Sequence, residues 1–414
     1  MIPKAEVLAV AGETQLLATT VEKDYVLGWV LFGISAHAEL RKWFFKGGTC
    51  LKKCYFETYR FSEDLDFTIP GEAAYQPAAL RTALAELTAW VRDQCGINFP
   101  AEGIELEELE NKRGMRTYQA KMTFGGPLQL PKQQQQRVKL DLTQDEIVIE
   151  PGVQRLVHHP YSDAPAPPPQ VLCYTLDEIL AEKTRALYER SGRSRDVYDV
   201  VNIDRNFRGE VSERKVRELT RRKFEFKGLA LPAVEEMMAR IDAAVLEVDW
   251  NNALGHQLPV LPPAANFLVG LRQTVTWTLL EVSPPAPPPA VPAPSGEQPM
   301  PVLRFPRSPA LGTVGLGRAI PAGMAAAPAY SSRMDRIRYA ARNRLLARVR
   351  YHGVTRLVEP YSLRMPKTGN LLLYVFETQR GLGPGEGIKA FKVAEIGDVD
   401  VTSQAFHPRY LVEL

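Results

Sequence analysis

The chain has few of the features that mark secreted, membrane-spanning or zinc-binding proteins. Its 414 residues include only four cysteines and six histidines. Because the cysteines form no CxxC pair, the sequence predicts neither a disulfide framework nor a zinc site. No apolar run approaches the length of a membrane span, and charged residues interrupt the N-terminal segment, so no signal-peptide pattern is present. We therefore expect a cytoplasmic protein that does not enter a membrane.

Proline is concentrated in one segment of the chain. Residues 283–330 contain thirteen of the 33 prolines, and each proline fixes φ and removes an amide donor. The sequence therefore predicts a Pro/Ala-rich linker there. A smaller proline patch separates a predicted α/β lobe at residues 1–162 from a predicted helical lobe at residues 171–282. Beyond the linker, residues 331–414 alternate apolar and polar positions and predict a small β domain.

The segment 45–67, FKGGTCLKKCYFETYRFSEDLDF, carries the most chemical information. Gly47 and Gly48 lack Cβ atoms and let the backbone approach a phosphate, while Thr49 supplies a hydroxyl and a helix N-terminal amide. Asp64 and Asp66 lie two apart, so on a strand both side chains point to one face. Paired carboxylates suit Mg²⁺ or Mn²⁺, the cations of nucleotidyl transfer. An ordinary turn followed by a solvated strand edge is the alternative interpretation.

Other polar residues extend this predicted site for a nucleoside triphosphate (NTP). The same segment contributes three side chains suited to binding phosphate or orienting carboxylates: Lys46, Arg60 and Ser62. A predicted strand at 136–144 places Asp141 on the face opposite its apolar residues. There it can complete an acidic triad, contacting a second metal or accepting a proton from an attacking hydroxyl. The alternative for Asp141 is a lone polar residue on an exposed strand face.

The order of these motifs resembles that of the AbiEii-type toxin nucleotidyltransferases of the DNA polymerase β-like superfamily. The likeness rests on VEKDYVLGWVL at 21–31, the Gly-Gly and Asp-x-Asp motifs, RVKLDL at 137–142, and LDEILAEKTRALYERSGRSRDVYDV at 176–200. It spans roughly residues 1–280. The resemblance implies an α/β (α+β) fold in which a polymerase-β-like nucleotidyltransferase lobe and a helical lobe form the active-site cleft.

The resemblance also implies roles for residues of the helical lobe. It matches Lys183 to a lysine that contacts the nucleotide phosphates, and it places Arg195, Asp196 and Asp199 in the cleft that orders the nucleotide. Taken from the sequence alone, Asp196 has an alternative role as a helix N-cap, with Asp199 favoured by the helix dipole. Thr175 is the predicted N-cap of the preceding helix.

The function implied is Mg²⁺-dependent transfer of a nucleoside monophosphate from an NTP to an acceptor, with release of pyrophosphate. The resemblance points to a toxin of a toxin–antitoxin or phage-defence system. Its expected acceptor is the 3′ end of tRNA, and its expected partner is a cognate antitoxin. Two alternatives stay open: the same centre modifies a protein hydroxyl or makes oligonucleotides, or the chain is a nucleic-acid sensor with a vestigial transferase site.

The net charge is only +3, so local basic clusters say more about nucleic-acid binding than overall charge does. The two most basic segments are 213–227 and 333–350. If they bind an acceptor polymer, phosphate contacts dominate and affinity falls with salt. Solvated helix faces are the alternative. The residues predicted to contact nucleic acid are Arg214, Arg221, Arg222, Lys223 and, from the last domain, Arg356.

The last domain resembles a WYL domain, an SH3-like barrel associated with sensing of ligands or single-stranded nucleic acid. The matching positions are Tyr351, Arg356, Pro360, Tyr361, Lys389, Phe391 and Phe406. The chain departs from the pattern at Glu395, where WYL domains usually carry arginine before the isoleucine. A scaffold or protein-docking role for this domain therefore stays open beside ligand binding.

Overall fold

The computed structural model describes residues 1–14, 16–56, 60–71, 75–110, 113–258, 260–280, 332–365 and 371–414, without the side chains of Glu13 and Glu386. The predicted linker at 283–330 lies outside the described residues. Within the described ranges, no helix combines the length and hydrophobicity that a membrane span requires.

The N-terminal region is a mixed sheet with helices packed against it. The helices are α1 (Lys4–Thr14), α2 (Ala18–Ala36), α3 (Gly47–Cys50) and α4 (Pro77–Cys95). The strands are β1 (Phe44–Lys46), β2 (Asp64–Thr68), β3 (Ile104–Glu110), β4 (Arg116–Thr123), β5 (Arg137–Thr143), β6 (Val153–Leu156) and β7 (Gln170–Cys173). Their order in the sheet is β3-β4-β5-β2-β1-β7-β6, with β2 parallel to β5 and β1 parallel to β7.

Hydrophobic spacing explains the two long helices of this region. Helix α2 is apolar on nearly all sides, and most of its residues are buried, as expected of a core helix. Helix α4 buries one stripe, Leu80, Leu84, Leu87 and Val91, at three- and four-residue spacing. It begins at a proline and ends at Gly96, whose φ of 80° provides the left-handed cap.

A helical region follows the sheet. It comprises α5 (Leu176–Glu189), α6 (Ser194–Phe207), α7 (Glu213–Phe226), α8 (Val234–Ala239), α9 (Ala243–Leu254) and α10 (Ala264–Leu279). Thr175 is the N-cap of α5, as predicted, and its hydroxyl accepts from the backbone N–H of Glu178 at 3.2 Å. The N-cap of α6 is Arg193. The alternative in which Asp196 caps this helix is therefore wrong, since Asp196 lies inside its first turn.

The C-terminal region is one helix and a five-stranded antiparallel sheet. Helix α11 (Arg333–Arg342) precedes β8 (Leu345–Tyr351), β9 (Val354–Arg364), β10 (Leu372–Arg380), β11 (Gly383–Lys392) and β12 (Ile396–Ala405). The strand order β11-β10-β9-β8-β12 is open, because β11 and β12 form its two edges. The described strands therefore do not form the closed SH3-like barrel that the sequence predicts.

Side-chain hydrogen bonds join α11 and its C-cap to the helical region. The Tyr339 hydroxyl donates to the carbonyl of Val260 at 2.5 Å. The Tyr198 hydroxyl donates to Oδ1 of Asn343, the C-cap residue of α11, at 3.4 Å. Both tyrosines are buried, so these contacts lie inside the packed core rather than at its edge.

Candidate active site

The acidic residues of the predicted site lie on one face of adjacent strands. In the parallel pairing of β2 and β5, Asp66 is the register partner of Asp141, and Asp64 is the partner of Lys139. The intervening Leu65 is buried in the core. Because alternate residues of a strand share a face, the three aspartates point to the same side of the sheet. The strand register thus brings together residues that are 75 positions apart in sequence.

The Gly-Gly turn contacts this acidic face directly. Gly47 has a φ of 77°, and a Cβ added there would lie 2.2 Å from Oδ2 of Asp66. A Cβ added at Gly48 would lie 2.5 Å from Arg60 and 3.1 Å from the hydroxyl of Ser62. The turn therefore needs glycine at position 47 for its left-handed backbone angle, and at position 48 because a larger residue would collide with Arg60 and Ser62.

A cavity of about 680 Å³ opens above the turn, between the sheet and the helical region. Of the predicted residues, Lys46, Gly47, Asp66, Asp141, Lys183 and Asp196 line it. Additional charged residues of its wall are Arg113, Asp145, Glu146, Glu182, Arg185, Glu189, Arg190, Lys227 and Arg240. This volume is in the usual range for a small-molecule site.

Burial and neighbouring charges shift the pKa values of two facing groups in the cavity. Burial, reinforced by Asp141 and Asp64 and opposed by Lys46, raises the pKa of Asp66 to about 6. Burial also lowers the pKa of Lys46 to about 8, although Glu182 and Asp66 oppose the shift. The Lys46 ammonium is ion-paired with Glu146. Lys46 therefore shares its charge between Asp66 and Glu146 and does not fully neutralise the Asp66 carboxylate.

Lys183 is held by both acids of the RDxYD motif. Its ammonium lies 3.2 Å from Oδ1 of Asp196 and 2.8 Å from Oδ2 of Asp199. Burial lowers the pKa of Lys183, but Asp199 and Asp196 outweigh that effect and raise it above its usual value. Lys183 is therefore a permanent cation at neutral pH.

Asp199 also binds Arg60, which approaches from the segment just before β2. The guanidinium donates from Nε and Nη2 to the two carboxylate oxygens, both at 2.8 Å, and from Nη1 to Gln257 at 2.9 Å. Burial raises the pKa of Asp199, but Arg60 and Lys183 outweigh it and hold the pKa well below its usual range. This buried network connects the sheet region with α5 and α6.

Several predicted site residues lie beside the cavity rather than in its wall. Of the described residues predicted to bind nucleotide or metal, those outside the lining are Gly48, Thr49, Ser62, Asp64, Arg195 and Asp199. The Thr49 hydroxyl donates to the carbonyl of Asp64 and so fixes α3 against β2. Arg195 points towards α9, where its Nε donates to the carbonyl of Ala253 at 3.4 Å.

Two residues predicted to contact nucleic acid are buried instead. Lys223 is 2% exposed and lies 2.9 Å from Glu178. Arg356 is 7% exposed and lies 2.5 Å from Glu377. Both predictions are corrected, since a charge already paired in the interior is not available to a phosphate. Arg214 and Arg221 are exposed, as a contact would require, and Arg222 is half-buried.

Sequence reasoning missed several charged residues of α5. Glu182 and Arg185 both line the cavity. Glu178 is fully buried and accepts from the backbone N–H groups of Ile149 and Glu150 at 2.9 and 3.0 Å. The available signal was spacing, since Glu178, Glu182 and Arg185 follow one another at three- and four-residue steps along α5.

The donor set fits a hard divalent cation. Asp66 and Asp141 offer carboxylate oxygens. Burial is the main cause of the raised pKa of Asp66, and the neighbouring carboxylates Asp141 and Asp64 add to it, a repulsion that a cation would relieve. Asp141 lies 2.9 Å from Lys139 and accepts from Gln119 at 2.8 Å, so its orientation is fixed. Because Mg²⁺ needs only one or two carboxylates and completes its shell with phosphate and water, these residues suffice.

Comparisons with known proteins give one family. The model of the family described as nucleotidyl transferase AbiEii toxin, type IV TA system, matches residues 29–279. Among solved structures, the chain is similar to MenT4, a nucleotidyltransferase toxin from Mycobacterium tuberculosis H37Rv. That similarity has 19% sequence identity and a TM-score of 0.45, and it covers 67% of this chain and 90% of that chain. None of the curated protein sequences compared with the chain matches it.

Proposed function

The chain belongs to the AbiEii family of nucleotidyltransferase toxins of type IV toxin–antitoxin systems, and from this premise we propose the reaction that it catalyses. It transfers a nucleoside monophosphate from an NTP to an acceptor and releases pyrophosphate, with Mg²⁺ or Mn²⁺ as cofactor. The proposed acceptor is the 3′ end of tRNA. Membership of the family also implies a cognate antitoxin as partner.

The observation that carries the proposal is the contact between the Gly47 turn and Asp66. A triphosphate bound against the turn would meet the carboxylates of Asp66 and Asp141 on one side. On the other side it would meet Lys183, which lines the same cavity. Phosphate binding, metal-ligand oxygens and a fixed cation therefore converge on one volume, as nucleotidyl transfer requires.

Among the described residues, seven lysines and arginines and seven aspartates and glutamates line the cavity. With equal numbers of basic and acidic residues, the wall alone has no net positive charge to neutralise a triphosphate. Bound Mg²⁺ would supply that positive charge and would act as a Lewis acid on the transferred phosphoryl group. Asp66 and Asp141 are the residues that would hold it. This charge balance supports the metal dependence of the proposed reaction.

The remaining roles follow from the position of each group. Asp141, held by Lys139 and Gln119, is oriented to accept the proton of the attacking hydroxyl. Lys183 is kept cationic by its two aspartates and would neutralise charge that develops on the departing pyrophosphate. Lys46 is ion-paired with Glu146 and would exchange this partner for a phosphate. Asp196 holds Lys183 in the cavity wall.

The test is transfer of label from each α-³²P-labelled NTP to total bacterial RNA in the presence of Mg²⁺. We expect label at tRNA length with wild-type protein and a loss of at least about a hundredfold with Asp66→Asn. Asp93→Asn is the matched control, because Asp93 has a side chain that is 68% exposed on α4. Wild-type activity in Asp66→Asn would refute the assigned site.

The same experiment separates the acceptors. Label in a protein band, or in free oligomers without added RNA, would replace tRNA as acceptor while leaving the transferase centre in place. Tight NTP binding without any labelled product would direct the search to other acceptors. Absence of NTP binding would favour a sensor with a vestigial site.

We also propose that the C-terminal sheet is WYL-like, although it is open. The support is local: the rings of Tyr351 and Phe391 are stacked with centroids 4.4 Å apart, and Arg356 lies within 5.5 Å of both. Glu395, at the position of departure from the WYL pattern, accepts from Tyr351 at 2.9 Å and pairs with His352 and Lys392. A carboxylate at this place disfavours a bound phosphate. We therefore favour a scaffold or protein-docking role for this face over phosphate binding.

A further inference from the structure

Three of the four cysteines meet inside the fold. Cys50 belongs to α3, Cys54 to the following π-helical turn at Leu51–Tyr55, and Cys173 to β7. Their sulfur atoms all lie within 4.8 Å of one another. The first two are 119 or more residues from the third in sequence, so the fold and not local spacing assembles this cluster.

The three cysteines are buried, and only Cys54 has any measurable exposure to solvent. Cys50 and Cys173 are 0% exposed and Cys54 is 7% exposed. The register partner of Cys173 on β1 is Phe45, next to the Gly-Gly turn. The backbone N–H of Tyr174 donates to the carbonyl of Phe45 at 3.0 Å. An ion bound by the three sulfur atoms would therefore join α3 to β7 directly behind the turn.

We propose that Cys50, Cys54 and Cys173 form a three-thiolate binding site for a soft divalent cation such as Cd²⁺. Thiolate sulfur selects soft metal ions over Mg²⁺ and Ca²⁺. Among the described residues, no fourth histidine, cysteine or carboxylate belongs to the group. This disfavours a structural zinc site, which normally has four protein ligands.

Charge favours a divalent over a monovalent ion. Three thiolates and a divalent cation carry a net charge of −1, whereas a monovalent cation would leave −2 in the interior, and buried charge is costly. Arg155 lies nearby: its Nε donates to the carbonyl of Cys54 at 3.0 Å. The guanidinium can offset one negative charge, so the divalent complex is nearly compensated.

The protonation of the thiols is consistent with this site. Burial raises the pKa of Cys54, but hydrogen bonds from Cys173 and Cys50, with the charge of Arg155, outweigh it and lower the pKa to about 5. Burial keeps the pKa values of Cys50 and Cys173 well above the usual range. A divalent cation would form three metal–sulfur bonds, and the protons of the thiols that it replaces would leave to solvent.

The test is a Cd²⁺ titration of the reduced full-length chain in excess Mg²⁺, which occupies carboxylate sites. We expect one Cd²⁺ per chain, an ultraviolet sulfur-to-metal charge-transfer band, and a melting temperature that rises with Cd²⁺ concentration. Affinity should increase with pH because binding releases protons. Cys54→Ala should weaken binding at least tenfold, while Cys95→Ala should leave it unchanged, since Cys95 is buried on α4, outside the cluster.

X-ray absorption at the cadmium edge of the wild-type complex makes the result independent of how the variants fold. Three sulfur neighbours would support the site. Two or fewer, or a shell of oxygen atoms, would overturn it. Absence of a charge-transfer band, both on titration of the folded chain and after refolding with Cd²⁺, would also overturn it, as would equal affinities of Cys54→Ala and Cys95→Ala. None of these readouts depends on the proposed transferase activity.

Discussion

Replacement of Gly47 by alanine tests the central contact of the active site. The added Cβ would lie 2.2 Å from Oδ2 and 3.0 Å from Cγ of Asp66. Heavy atoms in ordinary contact are about 3.5 Å apart or more, so the carboxylate must move by about 1 Å. Rotation of one short side chain achieves this movement without unfolding the sheet. The structural cost is therefore small, while the carboxylate leaves its position beside the turn.

The two effects have different magnitudes. A displacement of about 1 Å at a catalytic group lowers turnover by about a hundredfold, which equals about 2.7 kcal/mol of activation free energy. In addition, the left-handed backbone at φ 77° costs a residue with a Cβ about 1–2 kcal/mol of stability. We therefore expect Gly47→Ala to lose far more activity than its modest loss of stability explains.

Gly353→Ala is the matched control. Gly353 has the same φ of 77°, and no described atom lies within 4 Å of an added Cβ there. Both variants should lose a similar free energy of unfolding in urea, but only Gly47→Ala should lose labelling activity in single-turnover assays. Activity of Gly47→Ala within threefold of the Gly353→Ala value would refute the argument that the turn sets the position of Asp66.

Three further predictions follow from the charges of the site. Asp199→Asn should lower the free energy of unfolding by about 3–5 kcal/mol in urea, because it removes the carboxylate shared by buried Arg60 and by Lys183, whose side chain is 13% exposed; a loss below about 1 kcal/mol would contradict the network. Asp66→Asn should raise the melting temperature at pH 7.5 and by roughly half as much at pH 5, without added metal. Because the pKa of Asp66 is raised to about 6 in the folded protein, ionised Asp66 destabilises the fold. This destabilisation is nearly absent below about pH 4 and complete only above about pH 6. An equal rise in melting temperature at both pH values would contradict this reasoning. Arg214→Ala should weaken binding of tRNA and make the salt dependence shallower, whereas an unchanged slope in filter binding would remove α7 from the interface.

Local pattern was sufficient to predict the elements that carry the chemistry. The glycine pair predicted the turn at Gly47, and the alternation around Leu65 predicted the strand that directs Asp64 and Asp66 to one face. Thr175 was identified as a helix cap because its hydroxyl is a good acceptor for an amide three residues ahead. Each of these features depends on residues within a few positions of one another, so a single sequence contains the needed information.

Long-range pairing could not be predicted in the same way. Strands β1, β6 and β7 are three or four residues long, too short for a reliable alternation signal. Their pairing brings Cys173 beside Phe45, and no spacing rule anticipates the resulting thiol cluster. Likewise, the burial of Lys223 depends on Glu178 of another helix. A basic run therefore predicts charge but not exposure, which is set by the packing of its neighbours.

The two aspartates of the RDxYD motif illustrate how local spacing and long-range packing combine. They lie three residues apart on α6 and both bind Lys183, yet only Asp196 lines the cavity. Asp199 is fully buried behind it and anchors Arg60, which arrives from the segment before β2. The sequence alone cannot identify Arg60 as the partner of Asp199. Asp199 therefore links Arg60, from the segment before β2, to Lys183 of α5. We infer that Asp199 holds Lys183 in place from the buried side, whereas Asp196 holds it from the cavity wall, where a bound nucleotide would also meet Asp196.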